Sequence, residues 1–203
     1  MELTAGKTME ISAGKLAHLA NGSCVVRMGD TCVLAAVCSG PARKGADFFP
    51  LQVDYREKFS AAGRFPGGFI KREGRPTDKE ILTMRMTDRP IRPLFPEGFF
   101  DEVQVYGLVL SYDGEHDADT LFMLGASAAL CLSDLPYQGP VGAVRVGYID
   151  GQFIANPTVE EMKKSEIELV YSGKEDQVIM IEGEAKECSE KLLADAMYFA
   201  NDI

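Results

Sequence analysis

The sequence predicts an α/β (α+β) protein built as a mixed sheet packed by helices. Three observations carry this. Strand-like runs outnumber helical ones, in the order four strands, loop, helix, strand, helix, four strands, helix. Two turn dipeptides, Gly29-Asp30 and Asp150-Gly151, each separate a pair of strand-like runs, the pattern of a hairpin. The helices do not alternate regularly with strands, which argues against an all-parallel sheet. The chain has 203 residues, 46% apolar and 26% charged. That is enough for one large domain or two small ones, with a substantial core. No internal repeat and no low-complexity linker divides it.

The elements follow in order. Met9-Glu10-Ile11 starts a first strand, and residues 24–28 and 31–37 form the first hairpin, closed by Gly40-Pro41. Residues 48–55 read as a fourth strand, with Leu51, Val53 and Tyr55 on one face. Residues 60–76 hold four glycines, two prolines and four basic residues, the punctuation of a loop. Loops of this length without structure of their own are often functional. Thr77-Asp78-Lys79-Glu80 matches a capping box. It starts a helix with Ile81, Leu82, Met84 and Met86 as its apolar positions, ended or kinked at Pro90. Residues 103–110 form a near-continuous apolar run, expected to be a strand buried on both faces. Residues 117–133 form the second helix, whose small middle (Gly125, Ala126, Ser127, Ala128, Ala129) suits close packing on a sheet. Strands are expected at 143–149, 152–155, 167–171 and 178–181. A final helix spans 189–203, with Leu192, Leu193, Ala196 and Phe199 at helical spacing.

Several function classes are disfavoured. No apolar run approaches the ~20 residues of a membrane helix. The first seven residues lack a basic stretch followed by an apolar one, so no secretory signal is expected. The five cysteines (Cys24, Cys32, Cys38, Cys131, Cys188) are odd in number and without C-x-x-C spacing. They fit buried thiols in a reducing, cytoplasmic compartment; an organellar one would require a presequence already removed. His18 and His116 have no partner at zinc-ligand spacing, and His116 reads as a surface residue in a polar loop. Gly63-Arg64-Phe65-Pro66-Gly67 is not a Walker motif, and Ser127 lacks the setting of a nucleophile elbow. Glu160, Glu161, Glu166 and Glu168 flank Lys163-Lys164 and read as a solvated edge rather than a metal cluster. No metal ligand and no catalytic residue is assigned.

The net charge of −10 is unevenly spread. Residues 1–63 are net +1, residues 64–92 net +4 and residues 93–203 net −15. The basic stretch contains Arg64, Lys71, Arg72, Arg75, Lys79, Arg85, Arg89 and Arg92. Arg85, Arg89 and Arg92 share one face if the helix continues through Pro90. Guanidiniums so placed need anions between them. Either acidic side chains supply these, with Asp88 and Glu73 the candidates, or phosphate does. Phe65 and Phe69 interleave with the cations. Such a mixture suits single-stranded nucleic acid, rings stacking on bases and cations tracking the backbone. Phe69 as a core anchor is the competing reading.

The motifs also carry a resemblance. Phe48-Phe49-Pro50-Leu51-Gln52-Val53-Asp54-Tyr55, Ala61-Ala62-Gly63-Arg64-Phe65-Pro66-Gly67 and Phe69-Ile70-Lys71-Arg72-Glu73-Gly74-Arg75-Pro76 closely resemble the polynucleotide phosphorylase family. So do Asp88-Arg89-Pro90-Ile91-Arg92-Pro93-Leu94-Phe95-Pro96, Gly125-Ala126-Ser127-Ala128-Ala129-Leu130 and Gly139-Pro140-Val141-Gly142-Ala143-Val144-Arg145-Val146-Gly147. The similarity runs over essentially all 203 residues. It implies that residues 1–203 are the first of two ribonuclease PH-like cores, with the ribosomal protein S5 domain 2-like fold. The second core and the appended RNA-binding modules of that family are absent from this chain.

The implied activity of the whole protein is phosphorolysis of RNA from its 3′ end to nucleoside diphosphates, and the reverse polymerisation, in a homotrimeric ring. Inorganic phosphate is the co-substrate, and magnesium is expected at the second core. Single-stranded RNA is the implied partner, together with other RNA-degradation proteins; no membrane is involved. The family's serine-rich phosphate site would fall where Ala118-Asp119-Thr120-Leu121 stands, and Asp119 would repel phosphate. Its aspartate pair would fall near Glu160 and Glu166, beside lysines. Both departures imply a core that guides RNA without cleaving it. The RNA-binding residues carried over are Phe69, Ile70, Lys71, Arg72 and Arg75, with Arg64, Arg85, Arg89 and Arg92 as phosphate contacts. The family usually has a second aromatic and a second arginine where Ile70 and Lys71 stand, so stacking at 70 is lost and Lys71 is a point charge. The alternative is a stand-alone, non-catalytic RNA-binding scaffold of an exosome-like ring.

Overall fold

A computed structural model describes residues 7–203. The expectation about an N-terminal signal rests on residues 1–6, outside the described part. Among the described residues, nine strands form two sheets, packed by four α-helices. Strands β1 (Met9–Ala13), β2 (Gly22–Met28), β3 (Thr31–Gly40), β4 (Leu51–Arg56) and β5 (Glu102–Ser111) make a five-stranded sheet in the order β1-β2-β3-β5-β4. It is mixed, as expected: β4 runs parallel to β5, and the other pairs are antiparallel. Strands β6 (Gly142–Ile149), β7 (Gln152–Ala155), β8 (Ile167–Lys174) and β9 (Gln177–Ala185) make a separate antiparallel sheet, ordered β7-β6-β8-β9. Both hairpins form at the expected dipeptides, with Met28 opposite Thr31 and Ile149 opposite Gln152.

Helices α1 (Asp78–Ile91) and α2 (Ala118–Cys131) lie between the sheets. Helix α2 packs on β2 and β3 and reaches β6. Its small middle permits this. A Cβ on Gly125 would sit 3.0 Å from the Ala35 side chain, and one on Gly22 only 2.1 Å from the Ala129 carbonyl oxygen. The first core gathers Val26, Val33, Val37, Tyr55, Val105, Leu121, Phe122 and Leu130, all buried. The second core joins β6 and β8 to α4 (Glu190–Asn201) through Val146, Ile167, Leu169, Ala196 and Ala200. Strand alternation sorts β8: Leu169 and Tyr171 face α4, whereas Val170 meets Met123 of α2 and Met180.

Several expectations need correction. Strand β5 is buried on one face only. Val103, Val105 and Val109 are covered, but on the other face Gln104 is exposed and Leu110 is 40% exposed. Helix α1 buries Glu80, Thr83, Thr87, Pro90 and Ile91, while Ile81 and Leu82 lie at the surface. Threonine can serve as a core face here because each hydroxyl is satisfied within the helix. Thr83 donates to the Lys79 carbonyl and Thr87 to the Thr83 carbonyl, both at 2.9 Å. The short helix α3 (Val159–Met162) was not expected, although Thr158 and Glu161 form its complete capping box. Pro90 does not end α1; the helix continues to Ile91 and runs into a short 3₁₀ turn.

Candidate nucleic-acid interface

The basic Gly-rich segment is a long loop between β4 and α1. Its first part is a 3₁₀ turn, Phe59–Ala62, closed by Gly63 in the left-handed region at φ 65°. The Tyr112 amide donates to the Ala61 carbonyl at 3.0 Å and anchors this turn to the end of β5. Beyond it the chain projects into solvent. Phe65 is 78%, Phe69 102% and Ile70 76% exposed. Phe69 is therefore no core anchor. Leaving a phenylalanine in water forgoes roughly 1.5–3 kcal/mol of burial, so a cluster of such groups marks a contact surface. The Lys71 ammonium lies 5.9 Å from the centroid of the Phe65 ring, a cation–π distance. Arg72 and Arg75 are exposed beside it. Arg64 and Arg75 also line a cavity of about 390 Å³ beneath the loop, with Arg56, Glu73, Glu80 and Tyr112.

The base of this loop is tightly held. The Thr77 hydroxyl accepts from the Glu80 amide at 3.2 Å, and the Glu80 carboxylate accepts from the Thr77 amide at 2.6 Å. The same carboxylate accepts from the Glu57 amide at 2.9 Å. Glu80 is 5% exposed. Burial pushes its carboxyl up, but the Thr77 and Glu57 amides and the Arg56 guanidinium outweigh this and hold it below the usual carboxylate range. Beside it, Lys79 contacts Asp117 at 3.0 Å and Glu57 at 3.3 Å. Burial alone would lower the Lys79 ammonium; these two carboxylates raise it instead.

The α1 arginines are placed differently. Arg92 is bidentate to Asp88 at 2.6 and 3.0 Å and donates to the Phe49 and Leu51 carbonyls at 3.0 and 3.2 Å. Arg89 is paired with Glu182 on β9. Arg85 and Arg89 line a groove of about 840 Å³ between α1 and β8–β9. Glu73, the other carboxylate considered for these arginines, instead accepts from the Phe59 amide at 3.2 Å. The structure thus brings Phe69, Ile70, Lys71 and Arg72 together with Arg64 and Arg75 on one loop, and puts Arg85 and Arg89 on another surface.

The groove floor explains the fate of Asp119. Asp119 is 3% exposed and ion-paired with Arg145, which also pairs with Glu168. Its charge is compensated internally. The sequence assigns no separate role to either Arg145 or Glu80: Arg145 lies within the family-like stretch 139–147, and Glu80 shows only its capping role. Glu168 is tied into this cluster rather than lying on a solvated edge. His116 also differs from its surface reading. Its side chain is 14% exposed, with Nδ1 2.7 Å from Asp113 Oδ2. Ser127 is a packed helical serine whose hydroxyl accepts from the Val141 amide at 2.7 Å.

Comparison with known proteins decides the family. The profile of the 3′ exoribonuclease family, domain 1, matches residues 5–136, and that of domain 2 matches residues 139–203. This chain belongs to the 3′ exoribonuclease family. Within it, the polyribonucleotide nucleotidyltransferase of Hyphomonas neptunium is 55% identical over 199 residues, and that of Akkermansia muciniphila is 56% identical over 193. The matches cover 98% and 95% of this chain but 28% and 27% of those relatives. The chain thus spans a little over a quarter of the curated relatives it matches. Family fold is confirmed by a chain of the Archaeoglobus fulgidus exosome with RNA bound to the active site, at TM-score 0.76 and 21% identity, covering 99% of this chain and 89% of that one. An archaeal exosome core chain gives 0.72 and 20% over 97% and 83%.

Proposed function

We propose that this chain is the RNA-guiding first core of a polyribonucleotide nucleotidyltransferase. The whole protein would degrade RNA by phosphorolysis, with inorganic phosphate as co-substrate, in a homotrimeric ring in the bacterial cytoplasm. The observation that carries this is the loop of exposed aromatic and cationic side chains, Phe65, Phe69, Lys71, Arg72 and Arg75, on a rigid base. Rings that stack and cations that track a backbone suit a flexible single strand better than a duplex. The protein relatives favour this reading over a stand-alone exosome-like scaffold, since more than half of the aligned positions are identical.

Magnesium belongs to the whole enzyme. Among the described residues, no group of three or more His, Cys, Asp and Glu is placed to hold a metal ion. What the chain's own residues do is bind and orient. Lys71→Ala/Arg72→Ala tests the assignment by anisotropy of a labelled oligo(A). Affinity at low salt is expected to fall by on the order of tenfold, and the salt slope by about 1.4 for two lost phosphate contacts. An unchanged isotherm would remove the loop from the interface.

A further inference from the structure

The loop that carries these side chains leaves β4 after Arg56 and re-enters the fold at Thr77. Both ends converge on one carboxylate. Glu80 Oε1 accepts from the Glu57 amide at 2.9 Å, at the start of the loop. Glu80 Oε2 accepts from the Thr77 amide at 2.6 Å and from the Thr77 hydroxyl at 3.1 Å, at its end. Each oxygen therefore holds one end. Arg56 lies 3.8 Å from Oε1 and donates to the Gly74 carbonyl at 3.1 Å. The Phe59 amide donates to Glu73 at 3.2 Å, a further bond across the loop.

We infer that Glu80 is a positioning residue for RNA: by clamping both ends of the 57–77 segment it fixes the direction in which Phe69, Lys71 and Arg72 are presented. This rests on the loop being the RNA contact. The physical reason is the cost of ordering. A loop of this length with free ends must lose conformational freedom on every binding event, and a clamped one has lost most of it beforehand. A capping box needs only the Thr77 end of this carboxylate. The bond to Glu57, distant in sequence, is what turns a helix cap into a clamp. No other side-chain type does this as well. The carboxylate has two acceptor oxygens and no donor, so it can serve two amides at once. Glutamine keeps one acceptor oxygen and offers an amide group that would face the second N–H.

The experiment uses the 203-residue chain, its Glu80→Gln and Glu80→Ala variants, and each in the Lys71→Ala/Arg72→Ala background. Amide hydrogen exchange is read by segment, and oligo(A) affinity by anisotropy at low salt. Faster exchange is expected in 57–77 for both Glu80 variants, with β2, β3 and α2 unchanged. Affinity is expected to fall about tenfold in Glu80→Ala and less in Glu80→Gln. A smaller further fall is expected once Lys71 and Arg72 are gone, because Glu80 then acts through Phe69 alone. If Glu80→Ala unfolds, Glu80→Gln decides. Wild-type exchange in 57–77 together with wild-type affinity in Glu80→Gln overturns the clamp. So does a full additional loss in the Lys71/Arg72 background, which would mean that Glu80 acts elsewhere. If Lys71→Ala/Arg72→Ala itself binds RNA normally, the RNA reading of the loop fails instead, a result distinct from either.

Discussion

Phe69 and Lys71 illustrate how one residue can be legible in sequence for its chemistry but not for its state. The interleaving of rings and cations pointed to single-stranded RNA. Whether Phe69 was buried or free was open, and only its complete exposure settled it. The cost of that exposure is what a stacked base would recover. Phe69→Ala is therefore expected to weaken binding of oligo(A) by about 5- to 150-fold, the ~1–3 kcal/mol of one stacked base. Its thermal unfolding should match that of the unmodified chain, because the ring touches no core. A shifted unfolding midpoint with unchanged affinity would assign Phe69 to packing.

At the scale of elements, α1 shows why hydrophobic periodicity alone misplaced a face. Ile81, Leu82, Met84 and Met86 suggested the buried side, yet the helix buries Glu80, Thr83 and Thr87. Their polar atoms all find partners, the threonines within the helix and Glu80 at Thr77 and Glu57, so burial costs little. The same helix gives a pH expectation. Glu80 is held below the usual carboxylate range, so its ionised form favours the folded state. That stability is fully present above the unfolded-state value, about 4.3, and is lost as pH falls through the lower folded one. Asp113 and Glu161 are held low as well. Burial pushes Asp113 up, but the His116 ring and the His116, Glu115 and Thr31 donors prevail, whereas the Thr158 amide leads for Glu161. Acid unfolding of Glu80→Gln should therefore show a shallower pH dependence than the unmodified chain below pH 5. Identical profiles would show that Glu80 contributes nothing to it. Arg56 lies 3.8 Å from this carboxylate, and Lys79 pairs with Glu57 beside it.

On the scale of the molecule, Arg145 joins the two sheets' layers. It stands on β6, pairs with Glu168 on β8 and reaches Asp119 on α2. Arg145→Ala leaves Asp119 buried without its cation and is expected to cost about 3–5 kcal/mol, read as a lower midpoint in chemical denaturation. A change within about 0.5 kcal/mol would show that the pair is dispensable. The family resemblance would put a phosphate site near residues 118–121, and there Asp119 is taken up by this ion pair. The purified chain is thus expected to release no nucleoside diphosphate from poly(A) and phosphate. Sustained phosphate-dependent release would overturn the view that this core guides without cleaving.

The sequence by itself determined the mixed strand-and-helix composition, both hairpins, the start of α1 and the loop of Phe69, Lys71 and Arg72. These rest on local rules: turn geometry needs particular dipeptides, a capping box joins residues three apart, and a Gly-rich basic stretch cannot pack as a core. The tertiary structure decided the rest. It split the strands between two sheets, left the outer face of β5 partly exposed, covered His116, and turned Asp119 inward onto Arg145. It also brought Glu57 to Glu80, joining two ends that are far apart in the chain. Such partners are chosen by which backbone and side-chain groups would otherwise be buried without a hydrogen bond or counter-charge. That choice depends on elements distant in sequence, so no local pattern records it.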